Sequence, residues 1–487
     1  MSAEPINPKP SFPAAGSSLR SPIARLPSAS IYLSAVILLC FADIFAGWHF
    51  AALAAIPFLA AYFAKVWRVL MANGRILLGA CAAVAAIAAF QPGAVGIIGA
   101  GASRMIYLPA FVALLGLLRA AAAASKAIAV AGHYLVSQPP RTRYIALSFG
   151  GHFFGILLNV GGLALLVEMV RDANTLEAAG GDPNIVAWRE RRMTVAMLRG
   201  FAAMAFWTPL GVSFNLLLVS VPGVNWADAG PIGILCAVAF IGLGWVFDQF
   251  QRPKGLRPRP LKKVPGGAKA MTLVVGHVAM VSLVTWAIEY MLPLSFQTAL
   301  LLSVPGYAFL WAFFTRLSHS DPAPLKNSAA LLVERGIAAF PAYANEVAVF
   351  AASGFLGAAV VALIPQEALR GFFLSLSLPV GVLAALLCFS VAFLGIIGLN
   401  PMIAATIIAS AVASAEIPGL PKPAIVLAIA AGWACTVVAS PMNSALVMTA
   451  ALVRRQPWTL AAKWNGWFAL AALLLSMAVL VAVLSVL

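Results

Sequence analysis

Apolar runs of about twenty residues, separated by short segments that carry the charge, follow one another along most of this 487-residue chain. A helix of roughly 20 apolar residues is what crosses the hydrocarbon core of a bilayer, so the chain reads as a polytopic membrane protein. Such runs begin near residues 31, 48, 75 and 104, a Gly-rich stretch covers 142–170, and further runs cover about 194–222 and 229–247. After residue 269 they cover 270–291, 294–315, 328–363, 371–413, 424–453 and 462–487. Composition excludes a soluble fold of this length: 62% of residues are hydrophobic and 9% charged, where a water-exposed surface needs about a quarter charged.

The net charge of +16 does not point to nucleic acid, because the basic residues cluster between apolar runs, as Lys and Arg do when they hold loops on the cytoplasmic side. Residues 1–30, rich in Pro, Ser and Ala, read as a disordered cytoplasmic tail. The basic, Pro-containing segment 249–269 reads as a cytoplasmic linker between membrane units 31–248 and 270–487. With the tail inside, loops 65–75, 122–143, 171–199, 249–269, 316–327 and 454–463 fall inside. Loops 93–103, 221–230 and 413–423 fall outside and hold one Lys and no Arg. The expected location is therefore a bacterial-type inner membrane, N-terminus cytoplasmic, with the lipid bilayer as partner. Segments 142–170 and 371–413 cannot be ordinary single crossings in this scheme. Cys40, Cys81, Cys236, Cys388 and Cys435 lie inside apolar runs without metal spacing, and read as small packing hydrophobes.

Three landmarks recur in order. Leu108-Pro109-Ala110-Phe111 resembles Phe340-Pro341-Ala342-Tyr343, 232 residues later, and Thr208-Pro209-Leu210 resembles Ser440-Pro441-Met442 at the same offset. Between them, Phe154-Gly155-Ile156-Leu157-Leu158-Asn159 resembles Leu394-Gly395-Ile396-Ile397-Gly398-Leu399-Asn400. The two copies cross the membrane in opposite senses, which is the inverted-repeat plan of secondary transporters.

The candidate site follows from breaks in these copies. Gly150, Gly151, Gly155, Gly161 and Gly162 crowd thirteen positions around Asn159, and each glycine costs about 1 kcal/mol in a helix interior. A re-entrant hairpin with its tip at 159–162 is expected, with a counterpart over 377–412 whose tip is Gly398-Leu399-Asn400-Pro401. Pro209 and Pro441 each remove a helix hydrogen bond, and small polar neighbours (Thr208, Ser213, Ser440, Asn443 and Ser444) mark two helices broken in mid-membrane. Backbone ends at that depth are tolerated only where they line a cavity or are buried in protein; their N–H groups suit anions and their carbonyls suit cations. Asn159, Gly161, Thr208, Pro209, Ser213, Asn400, Pro401, Ser440, Pro441, Asn443 and Ser444 are the expected substrate or ion ligands. For coupling, Glu346 is the candidate carboxylate, against an alternative pairing with Arg335 or another base. His152 is a second candidate, against a packing histidine. Arg119 is expected to snorkel to the inner interface.

This arrangement resembles the ion transporter superfamily, which includes the divalent anion:sodium symporters, the citrate and arsenite carriers and the large permease of TRAP systems. The resemblance covers nearly all the chain after residue 30. At the hairpin tips and helix breaks, where the divalent-anion branch carries Ser-Asn-Thr, this chain reads Leu-Asn-Val-Gly (158–161), Thr-Pro-Leu-Gly (208–211), Leu-Asn-Pro-Met (399–402) and Ser-Pro-Met-Asn-Ser (440–444). Asn159 and Asn400 match, and no triplet is complete. The resemblance implies a homodimer moving a transport domain against a scaffold. The expectation is an all-α membrane protein with about eleven spanning helices and two re-entrant hairpins. Its function would be secondary transport of a small anion, a carboxylate, coupled to Na+ or H+ and with no other cofactor. A Na+/H+ antiporter or exporter of the same superfamily is the alternative. A channel is disfavoured because the inverted duplication points to alternating access, and an enzyme because no catalytic cluster is present.

Overall fold

A computed structural model describes residues 26–48, 50–251 and 264–486. Nearly all of the expected tail and most of the linker lie outside the described residues. The described chain is all-helical. In chain order its elements are α1 Ser28–Phe45, α2 Ala51–Val66, α3 Ala72–Ala89, α4 Ala94–Ala123, α5 Lys126–Val136, α6 Arg143–Leu158 and α7 Val160–Ala173. There follow α8 Pro183–Ala203, α9 Val212–Ser220, α10 Trp226–Phe250, α11 Gly267–Met291, α12 Phe296–Leu317 and α13 Pro324–Leu331. The last are α14 Ala344–Ala362, α15 Gln366–Ser375, α16 Val380–Ile396, α17 Pro401–Ser414, α18 Lys422–Ala439, α19 Ser444–Leu452 and α20 Gly466–Leu484.

Nine helical stretches among the described residues are long and apolar enough to cross a bilayer, fewer than the eleven expected. The difference lies in α2, which has 16 residues, and in α8–α9, whose first half carries Arg189, Glu190, Arg191 and Arg192. The chain is a multi-pass membrane protein. One succession occurs twice, from α4 to α10 and from α13 to α20: a long helix, a short one, a two-armed hairpin, a helix interrupted near its end, and a closing helix.

Glycines join the central pairs. A Cβ on Gly354 of α14 would overlap the Arg104 carbonyl of α4, and one on Gly101 would strike the Phe355 ring. On the next pair, a Cβ on Gly151 of α6 would enter the Met197 carbonyl and one on Gly200 of α8 the Ser148 carbonyl. Gly432 of α18 meets the Cys388 carbonyl of α16 in the same manner. Without hydrophobic driving force between helices in lipid, such backbone approach supplies the packing. This corrects the reading of the 150–162 glycines as helix breakers: Gly150, Gly151 and Gly155 sit within α6, and only Asn159 interrupts it.

Two expected loops are largely helix. Residues 94–103 are the first turns of α4, and residues 183–199 belong to α8. The short helices also differ from each other. α5 packs on α11 and α6, whereas α15 buries none of its residues and turns 106° from α16.

Candidate functional site

The first hairpin closes in one residue. Asn159 takes φ 54 and ψ −139 between α6 and α7, outside the ordinary wells of an L-residue. The arms are antiparallel: a Cβ on Gly162 would meet the Phe154 carbonyl, and one on Gly150 the Leu166 side chain. Both contacts are symmetric about residue 158. Gly161 and Gly162, expected at the tip, lie in the first turn of α7.

The helix break beside it follows from Pro209. α8 ends at Ala203, a 3-10 turn covers Met204–Phe206, and α9 begins at Val212. The amide of Gly211 closes the break by donating to the Thr208 carbonyl at 3.0 Å, and a Cβ there would strike the Thr208 side chain. Thr208 is fully buried, and its hydroxyl has no hydrogen-bond partner among the described residues. Ser213 is buried in the first turn of α9.

Tip and break meet in one crevice, lined by Asn159 and Gly155 of the hairpin, Gly211 and Val212 of the break, and Leu115 and Arg119 of α4. Arg119 has a partner there. Its Nη1 lies 3.3 Å from Glu346 Oε2, and its guanidinium stands 5.4 Å from the Tyr343 ring centroid. The base that partners Glu346 is thus Arg119, not Arg335. The neighbouring turn is fixed to α2 and to the start of α3: the Tyr62 hydroxyl donates to the Phe340 carbonyl at 2.9 Å, and Asn345 Oδ1 accepts from the Met71 amide at 2.6 Å.

The helix ends differ between the halves. Neither α7 nor α9 has a side-chain cap at its N-terminus, so amides of their first turns stay open. In the second half, Asn400 Oδ1 caps α17 through the Met402 amide at 2.9 Å, with Pro401 at the first position. Asn443 Oδ1 caps α19 through the Ala445 amide at 3.0 Å. Ser440 Oγ accepts from the Met442 amide at 3.3 Å inside the second break, while Pro441 is half-buried and Ser444 exposed. Gly398, at φ 105, abuts Met442, so this tip too sits against its break. The halves interlock: α9 packs on α17 and α18, and α19 packs on α7 and α8.

His152 is held at both nitrogens. Trp207 Nε1–H donates to Nε2 at 3.1 Å, so Nε2 is the acceptor and Nδ1 carries the proton toward the Gly200 carbonyl, 3.0 Å away. The Trp226 indole in turn donates to the Trp207 carbonyl at 2.8 Å, fastening the break to α10.

Two buried clusters escaped the sequence. Arg192 and Asp248 form a two-pronged ion pair at 2.5 and 2.6 Å. Arg199, 1% exposed, donates to Asn465 Oδ1 at 2.9 Å and reaches the Tyr144 hydroxyl at 3.3 Å, with the Phe468 ring 4.0 Å away. The available signal was arginine inside otherwise apolar sequence, Met-Leu-Arg-Gly-Phe at 197–201. No group of three or more His, Cys, Asp or Glu that could hold a metal occurs among the described residues.

No family profile and no curated protein sequence matches the chain. Among solved structures, the fold is similar to the YdaH transporter of Alcanivorax borkumensis, whose crystal structure is described as having an unusual topology. The TM-score is 0.53 and the identity 15%, over 84% of this chain and 96% of that one. The likeness is one of fold: the two chains share an all-helical membrane architecture.

Proposed function

We propose that this protein is a secondary active transporter that moves a small carboxylate-bearing anion by alternating access, coupled to Na+ or H+. The observation that carries the reading is the crevice where the uncapped N-termini of α7 and α9 lie beside the Arg119 guanidinium. Open amides and positive dipole ends favour negative charge, and a guanidinium grips a carboxylate with two parallel hydrogen bonds. Asn159 and the Thr208 hydroxyl supply further polar contacts. Asn400, Ser440, Asn443 and Ser444, at the second tip and break, form the opposite wall or the coupling-ion site, where free carbonyls suit a cation.

Glu346 is the coupling group in this reading. While ionised it occupies Arg119; protonation or a bound Na+ releases the guanidinium for substrate. His152, with both nitrogens engaged, serves packing instead. The fold likeness to a named transporter and the twofold succession of elements support an inverted-repeat carrier. A homodimer and an inner-membrane location with a cytoplasmic N-terminus belong to the same proposal.

The test is thermal unfolding of detergent-purified protein against a panel of carboxylates and inorganic anions, with and without sodium, at two pH values. A ligand at a hundred times its dissociation constant stabilises the native state by about 2.7 kcal/mol. A stabilising anion whose effect disappears in Asn159→Ala and Arg119→Gln supports the reading. In Glu346→Gln that effect should persist and lose its dependence on pH or sodium. If sodium or pH alone shifts the transition and no anion does, a cation antiporter replaces the anion carrier.

A further inference from the structure

The two arginines of α4 have different surroundings. Arg119 has a carboxylate partner. Arg104, fifteen residues earlier and about 22 Å away at 1.5 Å per residue, has none: no carboxylate among the described residues lies within ion-pair distance of it. Its recorded hydrogen bond runs from Nη1 to the Ser410 hydroxyl at 3.2 Å. Ser410 in turn donates to the Ser220 carbonyl at 3.3 Å. The guanidinium thus stands where α4, the outer arm of the second hairpin and the end of α9 meet.

An uncompensated charge within an apolar span is costly and marks a water-filled or ligand-binding place. Space is present on both sides of it. Arg104 lines one cavity of about 320 Å³ with Tyr107 and Asp43, and another of about 590 Å³ with Ser414, Gln366 and Lys422. The larger one mixes apolar residues such as Val361 and Leu369 with the hydroxyls of Ser220, Ser410 and Ser414. Lys422 adds a second positive charge there, with its Nζ 3.1 Å from the Pro222 carbonyl, against the exposed carboxylate of Glu416. A guanidinium has five N–H donors, and one bond to Ser410 leaves most of them for a ligand.

We propose that Arg104 is a second anion station, at the opposite end of α4 from the crevice, which takes the carboxylate of the transported molecule before or after the deep site does. The proposal rests on the anion reading above. An anion there takes the donors that the Ser410 contact leaves open.

The test uses the full chain in proteoliposomes with one cysteine introduced by Ser414→Cys, the unmodified protein serving as background for the five native thiols. Sulfonatoethyl and trimethylammonioethyl methanethiosulfonates, one anionic and one cationic, are the probes. Relative to a cysteine on an exposed loop, the anionic reagent should react about sixfold faster than the cationic one, as a unit charge about 8 Å away implies at the dielectric of water when attraction of one probe and repulsion of the other both count. Arg104→Gln should abolish the preference. Arg104→Lys keeps the charge and should keep the preference. An unchanged preference in Arg104→Gln, or no preference at all, overturns the station. The thermal assay on the same Arg104→Gln protein separates the two proposals. Anion stabilisation that survives there while the reagent preference vanishes supports a recruitment site distinct from the crevice. Absence of anion stabilisation in the unmodified protein sinks the carboxylate reading by a different measurement.

Discussion

Arg192 and Asp248 are nearly inaccessible, with side chains 7% and 3% exposed, so each depends on the other for its solvation. Removing one partner of such a pair strands a buried charge and costs about 3–5 kcal/mol. Asp248→Ala should therefore lower the unfolding temperature strongly. Replacing both with leucines should cost much less than the sum of the single changes, and a double-mutant cycle by thermal unfolding in detergent checks this. Gly200 makes a second residue-scale case. Its missing Cβ is the space that the Ser148 carbonyl uses, so Gly200→Ala must push α6 and α8 apart, at about 1–3 kcal/mol for an overpacked contact. The same change moves the carbonyl that holds His152, so the fluorescence of Trp207 should shift with it.

Among the elements, the capped and uncapped helix ends invite a direct contrast. Asn443→Ala removes the cap of α19 and should cost about 0.5–2 kcal/mol, read as a drop in thermal stability without ligand. Asn159→Gly removes no cap and suits the positive φ at this position, so it should leave the unliganded protein near its original stability while losing the anion effect. A loss of stability in Asn159→Gly as large as in Asn443→Ala would make Asn159 a structural residue. The breaks and tips were legible in the sequence because Pro209 and Pro441 remove donors and because Asn159 and Asn400 stand among glycines and a proline. The boundaries of α4 and α8 were not. Residues 94–103, poor in large apolar side chains, and residues 183–199, rich in arginine, imitate loops, and only packing against α14, α6 and α10 makes them helix. Arg119 and Arg199 were equally hidden, because their partners Glu346 and Asn465 lie in the other half of the sequence. No local pattern announces such a pair.

At the scale of the whole molecule, the succession of elements occurs twice, and α9 and α19 each pack on helices of the other half. Opposite orientation of the two halves has a simple check. Single cysteines at Asp182, before α8, and at Lys422, the first residue of α18, should react with an impermeant maleimide from opposite sides of the membrane in intact cells. Labelling from the same side would end the inverted-repeat reading while leaving the fold untouched.

The interleaving also sets a timetable for synthesis. Arg119 waits 227 residues for Glu346, and Arg199 waits 266 for Asn465. At ribosomal speeds of about 5–20 residues per second, that is about ten to fifty seconds. Through that interval Arg119 lacks its carboxylate and Arg199 keeps only first-half partners such as the Tyr144 hydroxyl. Lipid phosphates or the insertion machinery must shelter them until the second half emerges.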